Sequence, residues 1–545
     1  MRGLMMDLPL LLSGFIEYAS EYHGDTEIVA REIEGDIHRY TYRQAHDRIK
    51  RLASALRQLG VQPGDRVGTL AWNTFRHFEM FYGVTGLGPV LHTVNPRLHP
   101  EQLIYIINHA EDRLLFVDAA TIPVVEPLVE RLKSVAAYVI MSTKERMPAH
   151  SLPNALCYED LIAAESSDFA WPAFDERNAS CICYTSGTTG NPKGVMYSHR
   201  ANVLQTLSAS SMIAMPGHKS GELESMMPIA SMFHGNGWNM PFLACYTGSK
   251  LVLPGRNYQP EGLFELLDGE RVTITAAVPT AWRILLDWLK QSGKRLTYLR
   301  QALASGSQPS RALIAELLEE HGVELTQFFG MTEALYSTVG TLKPGALALS
   351  AEEQMKHRMK SGRATFGVEL RVVDDKGREL PKDGRTVGHL RVRGPWVATA
   401  YFKGEGGDPL DADGWLKTGD IGTLDVDGYV AITDREKDVI KSGGEWISSL
   451  ELEQAAAMQP DVIAAAVIAI PHPKWQERPL MLAVLRPGST LDAESLLAHL
   501  RTKVATWWLP DRIEFVSAIP LTATGKINKL ELRDRYGGCG SGAAQ

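Results

Sequence analysis

The sequence predicts an α/β protein with a large N-terminal domain of doubly wound sheets, a small β-unit and a separate α+β C-terminal domain. Three observations carry this. First, short apolar runs closed by Gly or Pro alternate with stretches of helical spacing up to about residue 434, the pattern of parallel sheets covered by helices. Second, Val368 to Val430 switches to an alternation of apolar and polar residues with Asp-Gly-type turns, which reads as a small antiparallel unit. Third, the stretch beyond residue 437 condenses helix and strand patterns into about a hundred residues. A chain of 545 residues also exceeds one ordinary core.

Taken in order, "LPLLLSGFI" (Leu8 to Ile16) reads as the start of a packed first helix, being too short and too poorly flanked for a signal peptide. "LASALRQLG" predicts a helix ending at Gly60, "DRVGTLAWN" a strand with a turn, and "FEMFYGVTGLGPVLHTVNP" a helix running into an apolar strand. "ASCICYTS" is a buried strand, and "MYSHRANVLQTLSAS" has helical spacing. "KLVLPG", "VTITAAVP" and "RQALASG" are short buried strands, while "SRALIAELLEEHG" is a helix stopped by Gly322. The expected division is residues 1–434, a junction at 435–437, a second domain over 438–535, and a flexible tail at 536–545 rich in Gly and Ala.

Composition excludes several classes. A net charge of -8 gives no electrostatic footprint for nucleic acid, and no run of ~20 apolar residues predicts a membrane span. Five cysteines do not make a disulfide scaffold. Cys181 and Cys183 share one strand face without metal-ligand company, so reduced core thiols and a cytoplasmic location are expected. Self-association as a homodimer stays open.

"YTSGTTGNPKGV" (Tyr184 to Val195) gathers glycines, hydroxyls and one lysine, the ingredients of an anion cradle. It is not a Walker A loop, because Asn191 and Pro192 separate Gly190 from Lys193 and Pro192 disfavours helix at Asn191. Strand, loop, helix is the expected setting; a Gly/Thr hairpin turn is the alternative. Other polar clusters follow: "FFGMTE" (Phe328 to Glu333), "KTGD" (Lys417 to Asp420), "DREKDVIKSGGEW" (Asp434 to Trp446) and "LTATGKINK" (Leu521 to Lys529). Singly each is weak, since a lone Glu333 or Lys526 reads as surface charge.

Together, in this order, these stretches resemble the acyl-adenylate-forming superfamily over roughly residues 15 to 535, and "NPRLHPEQLIYIINHAED", "MFHGNGW" and "KSGGEWIS" look most like its fatty-acyl-CoA synthetases, including the medium-chain and methylthiopropionate enzymes. The resemblance implies Mg²⁺, ATP, CoA and a carboxylic acid as cofactors and partners. It implies that Thr185, Ser186, Gly187, Thr188, Thr189, Gly190 and Lys193 hold the β- and γ-phosphates, with Thr185 and Glu333 beside Mg²⁺. Gly306, Gln327, Phe328, Phe329 and Thr332 would line the adenine and α-phosphate site, Asp420 and Arg435 would meet the ribose, and Lys526 would bridge carboxylate and α-phosphate. His234, Gly235 and Trp238 would border the reacting acyl group, the matching tryptophan gating the acyl tunnel of long-chain relatives; a plain core aromatic is the alternative for Trp238.

For the second step the resemblance implies a mobile C-terminal domain pivoting at Lys437, which brings Lys441, Gly443, Gly444 and Trp446 to the site. The implied activity is an AMP-forming fatty acid-CoA ligase of medium- to long-chain type. A ligase for 3-methylthiopropionate or an aryl acid, an adenylation enzyme loading a carrier protein, and a non-enzymatic nucleotide sensor are the competing readings.

Overall fold

The computed structural model describes residues 3–185, 191–213, 223–443, 445–522 and 526–537. Two seven-stranded sheets form its large part. One runs in the order β7 (Ala155–Cys157), β6 (Ala137–Ile140), β5 (Asp112–Val117), β3 (Arg66–Leu70), β4 (Val90–Val94), β8 (Ala179–Tyr184), β9 (Gly194–Ser198). The other runs β14 (Glu324–Gln327), β13 (Gln301–Ala304), β12 (Ile274–Ala277), β10 (Ser225–Pro228), β11 (Lys250–Leu253), β1 (Glu27–Arg31), β2 (Ile37–Thr41). Both are parallel except at β9 and β2, which pair antiparallel at one edge.

The two-residue period of a strand divides each sheet between two cores. Ile28, Ala30, Leu251 and Leu253 join Val67, Leu91 and Phe116 of the other sheet in one central cluster. Val29 and Val252 face an outer cluster with Trp282, and Leu115 and Val117 face another with Leu103 and Ile107. The order of layers is therefore helix, sheet, helix, sheet, helix. The helix Phe75–Leu87 lies in the middle layer, and all of its residues are buried, its charged Arg76 and Glu79 being paired with Glu159 and Arg48.

Two expectations need correction. The first helix spans Ser13–Tyr22, and Leu8 is 74% exposed: Leu8 precedes Pro9, which disfavours helical backbone there, and burial begins at Leu12. The glycine loop does not lead from strand to helix. Gly194–Ser198 forms β9, antiparallel to β8, and the helix begins only at His199. Val195 and Tyr197 are buried alternately with more exposed neighbours, a period-two signal inside a stretch read as helical. β8 and β9 are thus the two arms of a hairpin.

After β14, two short antiparallel pairs, β15 (Gly330–Met331) with β16 (Leu335–Tyr336) and β17 (Thr338–Val339) with β18 (Arg363–Ala364), carry the chain to a four-stranded antiparallel sheet. Its strands are β19 (Glu369–Val373), β20 (Gly388–Arg393), β21 (Leu416–Leu424) and β22 (Val430–Arg435). The C-terminal unit orders β24 (Glu445–Ile447), β23 (Ile440–Ser442), β26 (Gln476–Leu485) and β25 (Val462–His472), with β27 (Arg512–Phe515) parallel to β26. Helices Ser449–Ala457 and Ala493–Arg501 cover one face and Lys529–Tyr536 the other. Tyr536, assigned to the tail, closes that last helix, while 538–545 lie outside the described residues. Cys157, Cys181, Cys183 and Cys245 are free and buried. Among the described residues no helix is long and apolar enough to cross a membrane.

Candidate active site

The carboxyl-terminal ends of β13 and β14, the edge of the four-stranded sheet and the last turn of the C-terminal unit converge on one cleft. Lys526 is held to Thr522, whose N–H donates to the Lys526 carbonyl at 2.7 Å. Its side chain lies over Gly306, where a Cβ would stand 3.4 Å from Lys526 Cε. Gly306 has φ +90°, so glycine serves there both for backbone conformation and for space. Lys526 keeps solvent access through the open cleft, yet protein crowds its ammonium. Burial, then the neighbouring Arg435, lower its pKa to about 8, with Lys437 adding to that and Asp420 and Glu333 opposing it.

Asp420 sits on β21 opposite Arg435 of β22, and Arg435 Nε donates to Asp420 Oδ1 at 2.8 Å. The other oxygen, Oδ2, is buried with no partner. Burial raises this carboxyl's pKa, while Arg435 and then Lys526 pull it down. An unpartnered buried acceptor of this kind is costly unless a ligand donates to it. Gln327 Oε1 is a second such acceptor, its Nε2 donating to Ser361 Oγ at 3.2 Å.

Glu333 is buried, and Tyr401 Oη donates to its Oε1 at 2.8 Å. Lys193 Nζ donates to the Gly406 carbonyl at 3.0 Å and stands 4.7 Å from the Tyr401 ring centre. Thr185 and Lys193 are tied across the loop mouth: Thr185 N–H donates to the Lys193 carbonyl at 2.9 Å, and Lys193 N–H to Thr185 Oγ1 at 3.2 Å. Ser186, Gly187, Thr188, Thr189 and Gly190 lie outside the described residues. Thr332 is held through its carbonyl, which accepts from Tyr197 Oη at 2.7 Å.

His234 lies at the same cleft. Burial, then the charges of Lys526 and Arg97, lower its pKa to about 4, so it is a neutral imidazole at pH 7, with Nε2 unpartnered. Gly235 and Gly237 both have positive φ (46° and 64°), and Trp238 follows at 53°. The Trp238 indole stands edge-on to Phe328 at 5.1 Å, and Phe328 edge-on to Tyr336 at 4.4 Å. Phe328 is therefore part of an aromatic cluster with Trp238. Phe329 is 8% exposed and is anchored by its N–H to Thr338 Oγ1 at 2.8 Å.

Lys441 and Trp446 are not brought to this cleft. Trp446 meets His389 at 5.7 Å between rings, and His389 pairs with Ile421, the neighbour of Asp420. Adjacent strand residues point to opposite faces, so Trp446 covers the side of the sheet away from Asp420. The Lys441 N–H donates to Glu477. Gly443 has φ +62°, and Gly444 lies outside the described residues. Sequence reasoning missed Tyr401, Gly406 and Arg97. The last stacks on Trp72 at 4.8 Å and Tyr258 at 5.6 Å, and "NPRLHP" gave no sign of it beyond a lone arginine.

Comparison with known proteins places the chain in a family. The family model "AMP-binding enzyme" matches residues 15–402, and "AMP-binding enzyme C-terminal domain" matches 451–526. The chain is 46% identical to the 3-methylmercaptopropionyl-CoA ligase of Ruegeria lacuscaerulensis, over 98% of this chain and 99% of that one. It is 45% identical to the long-chain-fatty-acid-CoA ligase of Thermus thermophilus, over 98% and 96%. Among solved structures, the anthranilate CoA ligase AuaEII in complex with anthranoyl-AMP superposes with a TM-score of 0.84 at 25% identity, covering 97% of this chain and 98% of that one. The chain belongs to the AMP-binding enzyme family, as one of its acid-thiol ligases.

Proposed function

We propose that the chain activates an aliphatic carboxylic acid with ATP and passes it to CoA. Medium- to long-chain fatty acids are the first reading. The acid's carboxylate oxygen attacks the α-phosphorus and pyrophosphate leaves; the CoA sulfur then attacks the acyl carbon and AMP leaves. The observation that carries this is the convergence of Lys526 from the C-terminal unit with Gly306, Asp420, Glu333, Arg435 and His234 in one cleft. Two anions must meet there, and positioned cations are what such a step requires.

In this reading Asp420 Oδ2 accepts from a ribose hydroxyl, Gln327 Oε1 from the adenine amino group, and Lys526 spans the acid and the α-phosphate. Lys193 and the Thr185–Gly190 loop hold the outer phosphates. Glu333 and Thr185 suit Mg²⁺, an ion that takes one or two carboxylates and draws its other ligands from phosphate and water. Among the described residues no cluster of three or more His, Cys, Asp or Glu offers an all-protein cage. The ion would supply charge neutralisation on the phosphates.

A second acid, 3-methylthiopropionate, is favoured by the 46% identity to the 3-methylmercaptopropionyl-CoA ligase of Ruegeria lacuscaerulensis. Purified protein with Mg²⁺-ATP and CoA is tested against acids from propionate and 3-methylthiopropionate through octanoate and benzoate to palmitate. AMP and pyrophosphate are expected, with kcat/KM ranking the acids. ADP with an acyl phosphate would overturn the reaction class, and a maximum at benzoate would overturn both acid assignments.

A further inference from the structure

The strap Tyr401–Gly407 crosses the cleft from the small β-unit toward the glycine loop. It is tied down at several points. Lys403 Nζ donates to Glu111 Oε1 at 2.7 Å and to the His109 carbonyl at 2.9 Å, and Tyr105 Oη donates to Glu405 at 2.6 Å. The segment leading into it is pinned to Glu333 itself, since Ala398 N–H donates to the Glu333 carbonyl at 2.7 Å.

On this strap, Tyr401 touches two charged residues of opposite sign. Its hydroxyl holds Glu333 Oε1, and its ring face receives the Lys193 ammonium. Lys193 has little freedom to leave that path, because its stem runs so close to Gly406 that a Cβ there would stand 2.5 Å from Lys193 Cδ and Cε. Gly406 has φ +98°, which glycine alone adopts at no cost.

We propose that Tyr401 is a positioning residue for acid activation: its hydroxyl fixes the Glu333 carboxylate for the metal, and its ring, with Gly406, fixes Lys193 for the outer phosphates. This rests on the reading given under Proposed function. A donor to a carboxylate makes a strong, directional bond, and an ammonium over a phenol ring is attracted by its quadrupole. One side chain therefore sets the spacing between the two groups.

The two contacts can be separated. Tyr401→Phe removes the hydroxyl and keeps the ring; Tyr401→Leu removes both. For Tyr401→Phe the Mg²⁺ midpoint of pyrophosphate release should rise about fivefold or more. Its dissociation constant for ATP at saturating Mg²⁺, from calorimetry, should stay within twofold of the parent. For Tyr401→Leu that constant should also rise at least fivefold. Thioester formation from supplied acyl-adenylate should match the parent in both. If Tyr401→Leu does not fold, Lys193→Ala, which leaves the Tyr401–Glu333 bond in place, should weaken ATP binding without moving the Mg²⁺ midpoint. An unmoved midpoint in Tyr401→Phe, or equal loss in both half-reactions, overturns the proposal. A parent that releases no pyrophosphate would instead overturn the underlying reaction.

Discussion

Lys526 is a cation placed among cations and carboxylates, and its charge is poised. Free lysine titrates near 10.4; here burial and Arg435 bring it to about 8. The ammonium therefore predominates at pH 7 and is lost as pH rises through about 8. Acid activation needs that charge between two anions, so kcat/KM for pyrophosphate release should fall above pH about 8, a limb that reports the free enzyme. Thioester formation from supplied acyl-adenylate should not share it. A flat activation profile to pH 10 would remove Lys526 from that role. The stability sign is the opposite: between about pH 8 and 10.4 the unfolded chain binds this proton and the folded chain does not, so the group's contribution to stability rises with pH in that window. Lys526→Ala should slow acyl-adenylate formation by well over tenfold, which is about 1.4 kcal/mol of transition-state stabilisation, and leave transfer from supplied adenylate near parental. Equal impairment of both half-reactions would mean that Lys526 serves binding common to both.

At the scale of elements, the strands most legible in the sequence are those whose burial is simplest. β3, β4, β11 and β12 are buried on both faces because helices cover both, and such short, largely apolar runs need no partner to be recognised. β9 was not legible, because five residues between a glycine loop and a true helix carry too few periods to separate 2.0 from 3.6. Asp420 and Lys526 could be named from their motifs, but Tyr401 could not. Its partners Glu333 and Lys193 lie 68 and 208 residues away in sequence, and only the fold joins them. The same holds for Gly68 on β3. His92 of β4 and Asp112 of β5 bond across that strand at 2.7 Å, both fully buried. A Cβ at Gly68 would stand 2.8 Å from Asp112 Oδ2 and 2.8 Å from Leu115 Cδ1. Gly68→Ala should therefore cost about 1–3 kcal/mol by overpacking, seen as a lower urea midpoint. An unchanged midpoint would mean that the His92–Asp112 pair gives way freely.

At the scale of the molecule, the proposed half-reactions would use two surfaces of the C-terminal unit, and only one faces the cleft. Lys526 lies over Gly306, while Gly443 and Trp446 sit beyond the opposite face of the four-stranded sheet. Polar contacts cross the seam between the large part and the C-terminal unit: Ser449 N–H and Oγ donate to Asp434 Oδ2 at 2.6 and 2.8 Å, and Ser448 Oγ donates to the Thr433 carbonyl at 2.5 Å. Contacts of this kind can be exchanged without exposing a core. The covalent crossing is a tight turn in which the N–H groups of Asp438 and Val439 both donate to the Arg435 carbonyl at 2.9 Å, and Glu436 N–H donates to Gly419 at 2.9 Å. The rotation proposed for the C-terminal unit would be absorbed there, with Lys437 in the middle of the turn. Proline at 437 leaves those three N–H groups in place but fixes φ near -65° and restricts Glu436 as well. Lys437→Pro should thus keep acyl-adenylate formation within a few-fold of the parent and cut its transfer to CoA by well over tenfold, the reverse of Lys526→Ala. Circular dichroism and ATP binding matching the parent establish that the variant is folded. A folded Lys437→Pro protein that forms acyl-CoA at the parental rate would place the pivot elsewhere, or show that both steps proceed in one arrangement of the chain.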